Sequence, residues 1–242
     1  MDTSLIIGLI AAFFLGLAKG GLKGIGMLTV ALTAIAYGAK NSTGIVLPLL
    51  IVGDILAVIY FKEYVKWKYL RSFLPWIIVG VLVATYFGKD LPEASFKQWM
   101  GGVILASVGL MLVLERRTIK VRPEDRWLGS VLGFITGFTT MIGNLAAPFA
   151  NLYFLATRLP KNEILGTAAW TFFIVNTFKV PFHIFSWGTI NWSSLKIDLF
   201  LLPAVFVGFA VGIKIVNLFS ETFFRQFLLV VTAIGALLIF LK

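Results

Sequence analysis

The 242-residue chain has no cysteine and only one histidine. Without thiols there is no disulfide, no thiolate nucleophile and no cysteine-held zinc or iron–sulfur cluster. A single imidazole excludes a multi-histidine metal centre, so neither a metal nor a cofactor is expected. Charge is scarce too: 13% of the residues are charged, against about 25% in an ordinary soluble domain. In its place stand 59% hydrophobic residues and a mean hydropathy of +0.95, which exclude a water-soluble globule. A membrane-crossing helix takes roughly 20 residues, so about eight to ten crossings and short loops use up the chain. No soluble catalytic module fits beside them. The chain has no P-loop, no G-x-S-x-G elbow and no His/Glu metal spacing, which speaks against an ATP-driven pump and an intramembrane enzyme. Lys and Arg outnumber Asp and Glu by 21 to 11. Most of these basic residues flank apolar runs, where they set topology, so no nucleic-acid partner is expected. The opening Met1-Asp2-Thr3-Ser4 lacks the basic start of a signal peptide.

What is present is a series of apolar runs of helical length, two of them interrupted. Leu5 to Ala18 and Gly24 to Ala39 are each short for a crossing and are joined by Lys19-Gly20-Gly21-Leu22-Lys23-Gly24-Ile25-Gly26. Trp127 to Thr157 is too long for one crossing and is broken around Thr139 to Pro148. An internal repeat accounts for both features. Gly16, Gly20 and Gly26 match Gly133, Gly137 and Gly143 at an offset of 117, Lys40-Asn41 matches Lys161-Asn162, and Trp67 matches Trp192. Pro75 and Gly80 match Pro203 and Gly208 at an offset of 128. The expected organisation is all-α and polytopic, in two repeats. The first repeat, 1–118, carries a broken element over 3–39 and helices over 41–61, 70–88 and 95–115. A linker over 119–122 leads to the second repeat, 123–242, with a broken element over 126–157 and helices over 163–186, 196–216 and 223–241.

Basic loop residues decide how the halves are oriented. If each broken element is one interrupted crossing, the halves are parallel and loop Lys/Arg divide 11 against 7 between the two sides. If each turns back, as a re-entrant hairpin or two short crossings, the halves are inverted and the division is 13 against 5. Cytoplasmic loops carry the excess of Lys and Arg, so the sharper asymmetry favours inverted repeats, a cytoplasmic linker and both termini outside.

The glycine-rich break Gly20-Gly21-Leu22-Lys23-Gly24-Ile25-Gly26, its counterpart Gly137 to Gly143 with Pro148, the Gly166-Thr167 helix start, Asn191-Trp192 and the helices around Pro75 and Pro203 resemble the sulfite exporter TauE/SafE family. The resemblance covers nearly the whole chain. Ala31 stands where the family has a proline, and Thr139-Thr140-Met141-Ile142-Gly143-Asn144 replaces a glycine cluster. The resemblance implies transport of a small organic or inorganic anion, such as sulfite or a sulfonate, across the bacterial inner membrane.

Broken helices at matching positions of two halves mark a transport site, because free N–H groups and helix ends at membrane depth replace water around an ion. We therefore expect Gly24, Gly26 and Gly143 to bring backbone to a substrate, and Thr139, Thr140 and Asn144 to add hydrogen bonds. The alternative for the glycines is small-x-x-x-small packing. Lys19 and Lys23 flank the first break as candidate anion ligands or as ordinary cytoplasmic lysines, and at the offset of 117 their counterparts are Thr136 and Thr140. Asp54 and Lys179 are charges inside otherwise apolar runs, each costing at least about 2.5–3.5 kcal/mol there. They correspond at an offset of 125, and a direct pair between them has to span a difference in depth. Asn176, Lys179 and His183 form a polar stripe on one helix. His183, with an ordinary pKa of about 6.5 for its type, is a candidate proton relay, and Asp54 a candidate for coupling or gating. Trp170, with Thr167 and Thr171, is placed at the cavity. The leading reading is a secondary carrier of a small anion, with protons or sodium as coupling ions, the lipid bilayer as its surroundings and a homodimer left open. The other readings are a non-transporting scaffold or assembly factor, and an anion channel.

Overall fold

The computed structural model describes residues 2–22, 25–116, 126–157 and 159–215. Among them there is no strand, and the helices are α1 (Thr3–Lys19), α2 (Gly26–Tyr37), α3 (Ala39–Phe61), α4 (Trp67–Gly88), α5 (Glu93–Arg116), α6 (Arg126–Gly143), α7 (Ala147–Ala156), α8 (Lys161–Pro181) and α9 (Trp192–Ile215). The chain from Ala39 to Tyr64, α4 and α9 are long and apolar enough to cross a membrane, while α1, α2 and the apolar part of α6 are shorter. The protein is a helical membrane protein. The linker 119–122 and the helix expected over 223–241 lie outside the described residues, as do Lys23 and Gly24. The helix expected over 163–186 is α8 continued by a π turn, Phe182–Ser186. The one expected over 196–216 begins earlier, at Trp192.

Both interrupted runs turn back on themselves. At the end of α1 the Leu22 N–H donates to the Leu17 carbonyl (3.2 Å) and the Gly21 N–H to that of Ala18 (3.3 Å). Gly21 has φ 117°, which glycine adopts without the Cβ penalty, and the pattern is a Schellman stop. Then α2 runs back along α1: Gly26 lies beside Ala18, Thr29 donates to the Ala11 carbonyl at 3.1 Å and the Tyr37 hydroxyl reaches Gly8. In the second hairpin Asn144 takes φ 56°, a left-handed conformation that Asn tolerates better than most residues. The Thr139 hydroxyl donates across the break to the Leu145 carbonyl at 3.0 Å, and Tyr153 of α7 returns to Gly129 of α6.

The remaining helices pack in corresponding pairs. Along α9, α1 runs parallel: Gly16 approaches Val205 and Gly20 approaches Gly212. Along α4, α6 also runs parallel: Gly133 approaches Phe73 and Gly137 approaches Ile77. A Cβ on Gly16 would stand 2.2 Å from the Val205 carbonyl, and one on Gly137 would stand 1.9 Å from that of Ile77. A Cβ on Gly208 would meet the Phe13 carbonyl and one on Gly80 the Phe134 carbonyl, both at 2.1 Å. These contacts map 16 onto 137 and 13 onto 134, an offset of 121, while 205 and 208 map back onto 77 and 80 at 128. The expected offset of 117 between the first helices is therefore one turn out of register. The structural counterpart of Lys19 is Thr140, not Thr136.

Helices α3 and α8 cross the molecule antiparallel: Gly44 abuts Thr189, Asn176 is bonded to Asp54, and Gly166 abuts Phe61 and Tyr64. At one end, Lys66 pairs with Glu163 at 3.0 Å. At the other, the Lys40 ammonium donates to the Lys89 carbonyl at 2.7 Å, while Glu93 accepts from the first N–H groups of α3, the place where a carboxylate suits the helix dipole. One apolar cluster fills the space among α2, α4, α5, α6 and α7, and another lies among α1, α3 and α9. Large apolar side chains such as Ile59, Phe87, Phe185, Leu199 and Phe200 face outward, the surface a bilayer covers.

Candidate functional site

A cavity of about 130 Å³ lies between the two breaks, bounded by α1, α2, α3, α7, α8 and the end of α6. Much of its wall is apolar, from Leu15, Met27, Val30, Phe61, Leu145 and Phe172. Its polar wall comes from both halves: Lys19, Gly26, Thr29 and Asp54 from the first, Thr140, Asn144, Asn151 and Asn176 from the second.

Lys19 is the last residue of α1, where the negative end of the helix dipole favours a cation. Its ammonium forms a salt bridge with Asp54 of α3 and lies 5.2 Å from the centre of the Phe172 ring. Gly53 makes this approach possible, since a Cβ there would stand 2.8 Å from the lysine stem. The pair is unequal: the Lys19 side chain is 14% exposed and that of Asp54 is fully buried. Asp54 has a second donor, the Asn176 amide at 2.7 Å.

Lys179 is fully buried. Its ammonium reaches the Thr140 carbonyl (2.9 Å), the Thr140 hydroxyl (3.1 Å), Asn144 Oδ1 (2.6 Å) and Asn176 Oδ1 (3.2 Å). Three donors are shared among four acceptors, all neutral. The Asn144 amide passes the chain of bonds to the Thr43 carbonyl of α3 at 3.1 Å. Asp54 and Lys179 are thus joined through Asn176, not paired directly. Lys179 stands behind Thr140, Asn144 and Asn176 and holds them toward the cavity, whose wall it does not form. In their charged forms Lys19, Asp54 and Lys179 leave one net positive charge at the site.

The other expected residues are distributed differently. Gly26 lines the cavity, whereas Gly143 and Thr139 do not: Gly143 faces Leu145 and Met100, and the Thr139 hydroxyl is used in the break. The stripe Asn176, Lys179, His183 is buried throughout, but His183 turns away to Thr189 Oγ1, 2.8 Å from its Nδ1, inside the π turn. Trp170 stacks near Trp67, 5.3 Å between ring centres, and stands outside the cavity wall, while Thr167 and Thr171 bond to carbonyls one turn earlier on α8. Asn151 and Thr29 were not anticipated; a lone amide in an apolar helix was the available sign for Asn151. Asp198 was also passed over. It is buried in α9, inside the helix expected over 196–216 and two residues after Lys196, and no local sequence pattern marks it.

Long apolar helices around a cavity lined by charged and amide side chains define a class of membrane transport protein. The chain belongs to the sulfite exporter TauE/SafE family, whose model matches residues 5–239. It is a family of membrane transporters. No curated protein and no solved structure matches the chain.

Proposed function

We propose that the protein is a secondary carrier for a small anion, working by alternating access between two inverted halves with the cavity at the two breaks as its binding site. Three packing relations support the inversion: α3 and α8 are repeat counterparts running antiparallel, each broken run doubles back, and α1 on α9 repeats as α6 on α4. The observation that carries the substrate reading is Lys19, a cation at a helix end, in contact with the cavity and balanced by a fully buried carboxylate. An arriving anion competes with Asp54 for this ammonium, while Thr140, Asn144 and Asn176 offer hydrogen bonds and the apolar wall excludes water. Lys179 acts by positioning those three side chains. Sulfite, a sulfonate or a related oxyanion or carboxylate fits this chemistry, with protons or sodium as coupling ions. The bacterial inner membrane is the proposed location, with both termini periplasmic.

The test is thermal stabilisation of purified protein by sulfite, sulfate, sulfoacetate, taurine, lactate and acetate in turn. A ligand at 100 times its Kd adds about 2.7 kcal/mol. The expected result is stabilisation by one of the anions, cut to about half in Lys19→Gln/Asp54→Asn at the same concentration. Stabilisation by none of them, together with no flux in proteoliposomes, favours the scaffold reading.

A further inference from the structure

Asp198 sits on α9 six residues after Trp192, about 9 Å along the helix, in a span long and apolar enough to cross the membrane. The residue is 4% exposed, and among the described residues neither carboxyl oxygen has a hydrogen-bond partner. The hydroxyl of Tyr37 is likewise buried and unpartnered. The two share one neighbourhood. The Tyr37 hydroxyl and the Leu201 side chain both converge on Gly8, and Leu201 follows Asp198 on the same face of α9, one turn on.

Among the described residues, the titratable groups of the helices packed around this point leave the carboxyl uncompensated. From α1 come Asp2, which caps the Ser4 N–H, and Lys19, which is committed to Asp54. From α2 comes Tyr37. From α3 come Asp54 and Lys40, whose ammonium goes to Lys89 and over the Phe96 and Trp187 rings. On α9 itself Lys196 is exposed. An ionised carboxylate without water, donor or counter-ion is held at a cost that a single bound proton removes. The other hairpin has the finished version of the same corner. There Tyr153 packs at Gly129 as Tyr37 packs at Gly8, the glycines at an offset of 121 and the tyrosines at 116, and its hydroxyl is satisfied by Ser72 Oγ at 2.8 Å on α4. A neutral side chain suffices to build this corner, so the acid on α9 is not an architectural requirement.

We propose that Asp198, beside Tyr37, is a proton-binding site of the protein, separate from the anion cavity. One carboxyl oxygen takes up a proton and returns the same proton to water on the other side of the membrane; no bond to substrate is made. Binding of the proton stands on the geometry alone, and its coupling to an anion rests on the carrier reading above. Sodium is the weaker occupant, since a desolvated sodium ion needs more oxygen ligands than one carboxyl and one hydroxyl supply.

Infrared spectroscopy of the full chain in lipid nanodiscs tests the first part. At neutral pH the wild type is expected to show the carbonyl stretch of a protonated carboxylic acid, and Asp198→Asn and Asp198→Leu are expected to lack it. Absence of the band from the wild type, or its survival in both variants, overturns the proposal. Proteoliposomes test the coupling, with sulfoacetate as the probe because its sulfonate stays ionised. An inside-alkaline gradient is expected to raise initial uptake by the wild type about tenfold, and Asp198→Asn to keep sulfoacetate exchange but lose this response. A full response in Asp198→Asn, or a sodium gradient replacing the proton gradient in the wild type, overturns it. If the wild type moves no sulfoacetate, it is the carrier reading for that anion that fails, and the infrared band still decides whether Asp198 binds a proton.

Discussion

Where α1 meets α3, Lys19 gives its charge to Asp54; at the matching place between α6 and α8, Thr140 faces Lys179. The first helix of each half is packed alike on a helix of the other half, with glycine against backbone at 16 on 205 and at 137 on 77. The side chains at the breaks are not alike. One half holds an ion pair that reaches the cavity, the other a buried cation held by neutral acceptors. Architecture is shared between the halves and electrostatics is not, so an anion meets one cationic wall and one wall of hydroxyl and amide groups.

The comparison breaks most completely if the halves are not inverted. The protein has no cysteine, so single cysteines at Glu63 and Ser193 report without background. Both positions are exposed, and they lie at opposite ends of the antiparallel α3 and α8. An impermeant thiol reagent is expected to reach Ser193→Cys from outside and Glu63→Cys only from the cytoplasmic side, where Lys62, Lys66, Lys68 and Arg71 also lie. Labelling from one common side restores parallel halves.

Next in size is the helix crossing. Gly16→Leu and Gly137→Leu each drive a side chain into a carbonyl, and since ordinary overpacking already costs about 1–3 kcal/mol, backbone displacement exceeds that range. Neither variant is expected to be recovered as folded, monodisperse protein by size-exclusion chromatography. Tolerance at one of the two positions alone would show that the shared register is not what holds both halves.

Those glycines also explain what was legible in the sequence. The breaks and the all-helical, membrane-spanning character could be read, because glycine, proline and apolar length act locally. The register between the first helices was read one turn out, since Gly16 and Gly20 are four apart, as are Gly133 and Gly137, and a shift of one turn still lays glycine on glycine. That slip hid the correspondence of Lys19 with Thr140. The Lys19–Asp54 pair joins residues 35 apart on helices whose contact no local pattern encodes. Asp198 lies inside the helix expected over 196–216, but its burial comes from α1 packing along α9, another contact that no local pattern encodes.

Charge at the breaks gives the third effect. Lys19→Gln strands Asp54 without its cation, a loss of about 3–5 kcal/mol, and Asp54→Asn in the same chain is expected to restore the melting temperature. Lys179→Gln leaves neutral acceptors and keeps two donors, so about 1–2 kcal/mol is expected. The rescued Lys19→Gln/Asp54→Asn protein is the decisive one for function: its half-saturating anion concentration is expected to rise about tenfold, or about 1.4 kcal/mol. Equal losses from both lysines would mean that the two halves share electrostatics after all.

The smallest effect separates the two tyrosines that close the hairpins. Tyr153 packs face to face on Phe73, 4.1 Å between ring centres, and its hydroxyl meets Ser72 Oγ at 2.8 Å and the Tyr69 carbonyl at 3.3 Å. Tyr153→Phe keeps the stack and removes those bonds, so a loss of about 0.5–1.5 kcal/mol is expected in thermal or denaturant unfolding. Tyr37 fills the corresponding corner at Gly8 with its hydroxyl buried and unbonded. Tyr37→Phe removes a desolvated polar atom that gains nothing in return, so stability is expected to stay level or rise slightly. A loss at Tyr37 equal to that at Tyr153 would mean that its hydroxyl has a partner in the membrane, with Asp198 and Asp2 as the acidic candidates. The Asp198→Asn background then decides: a Tyr37→Phe penalty that vanishes there assigns the bond to the carboxyl, and one that persists assigns it elsewhere.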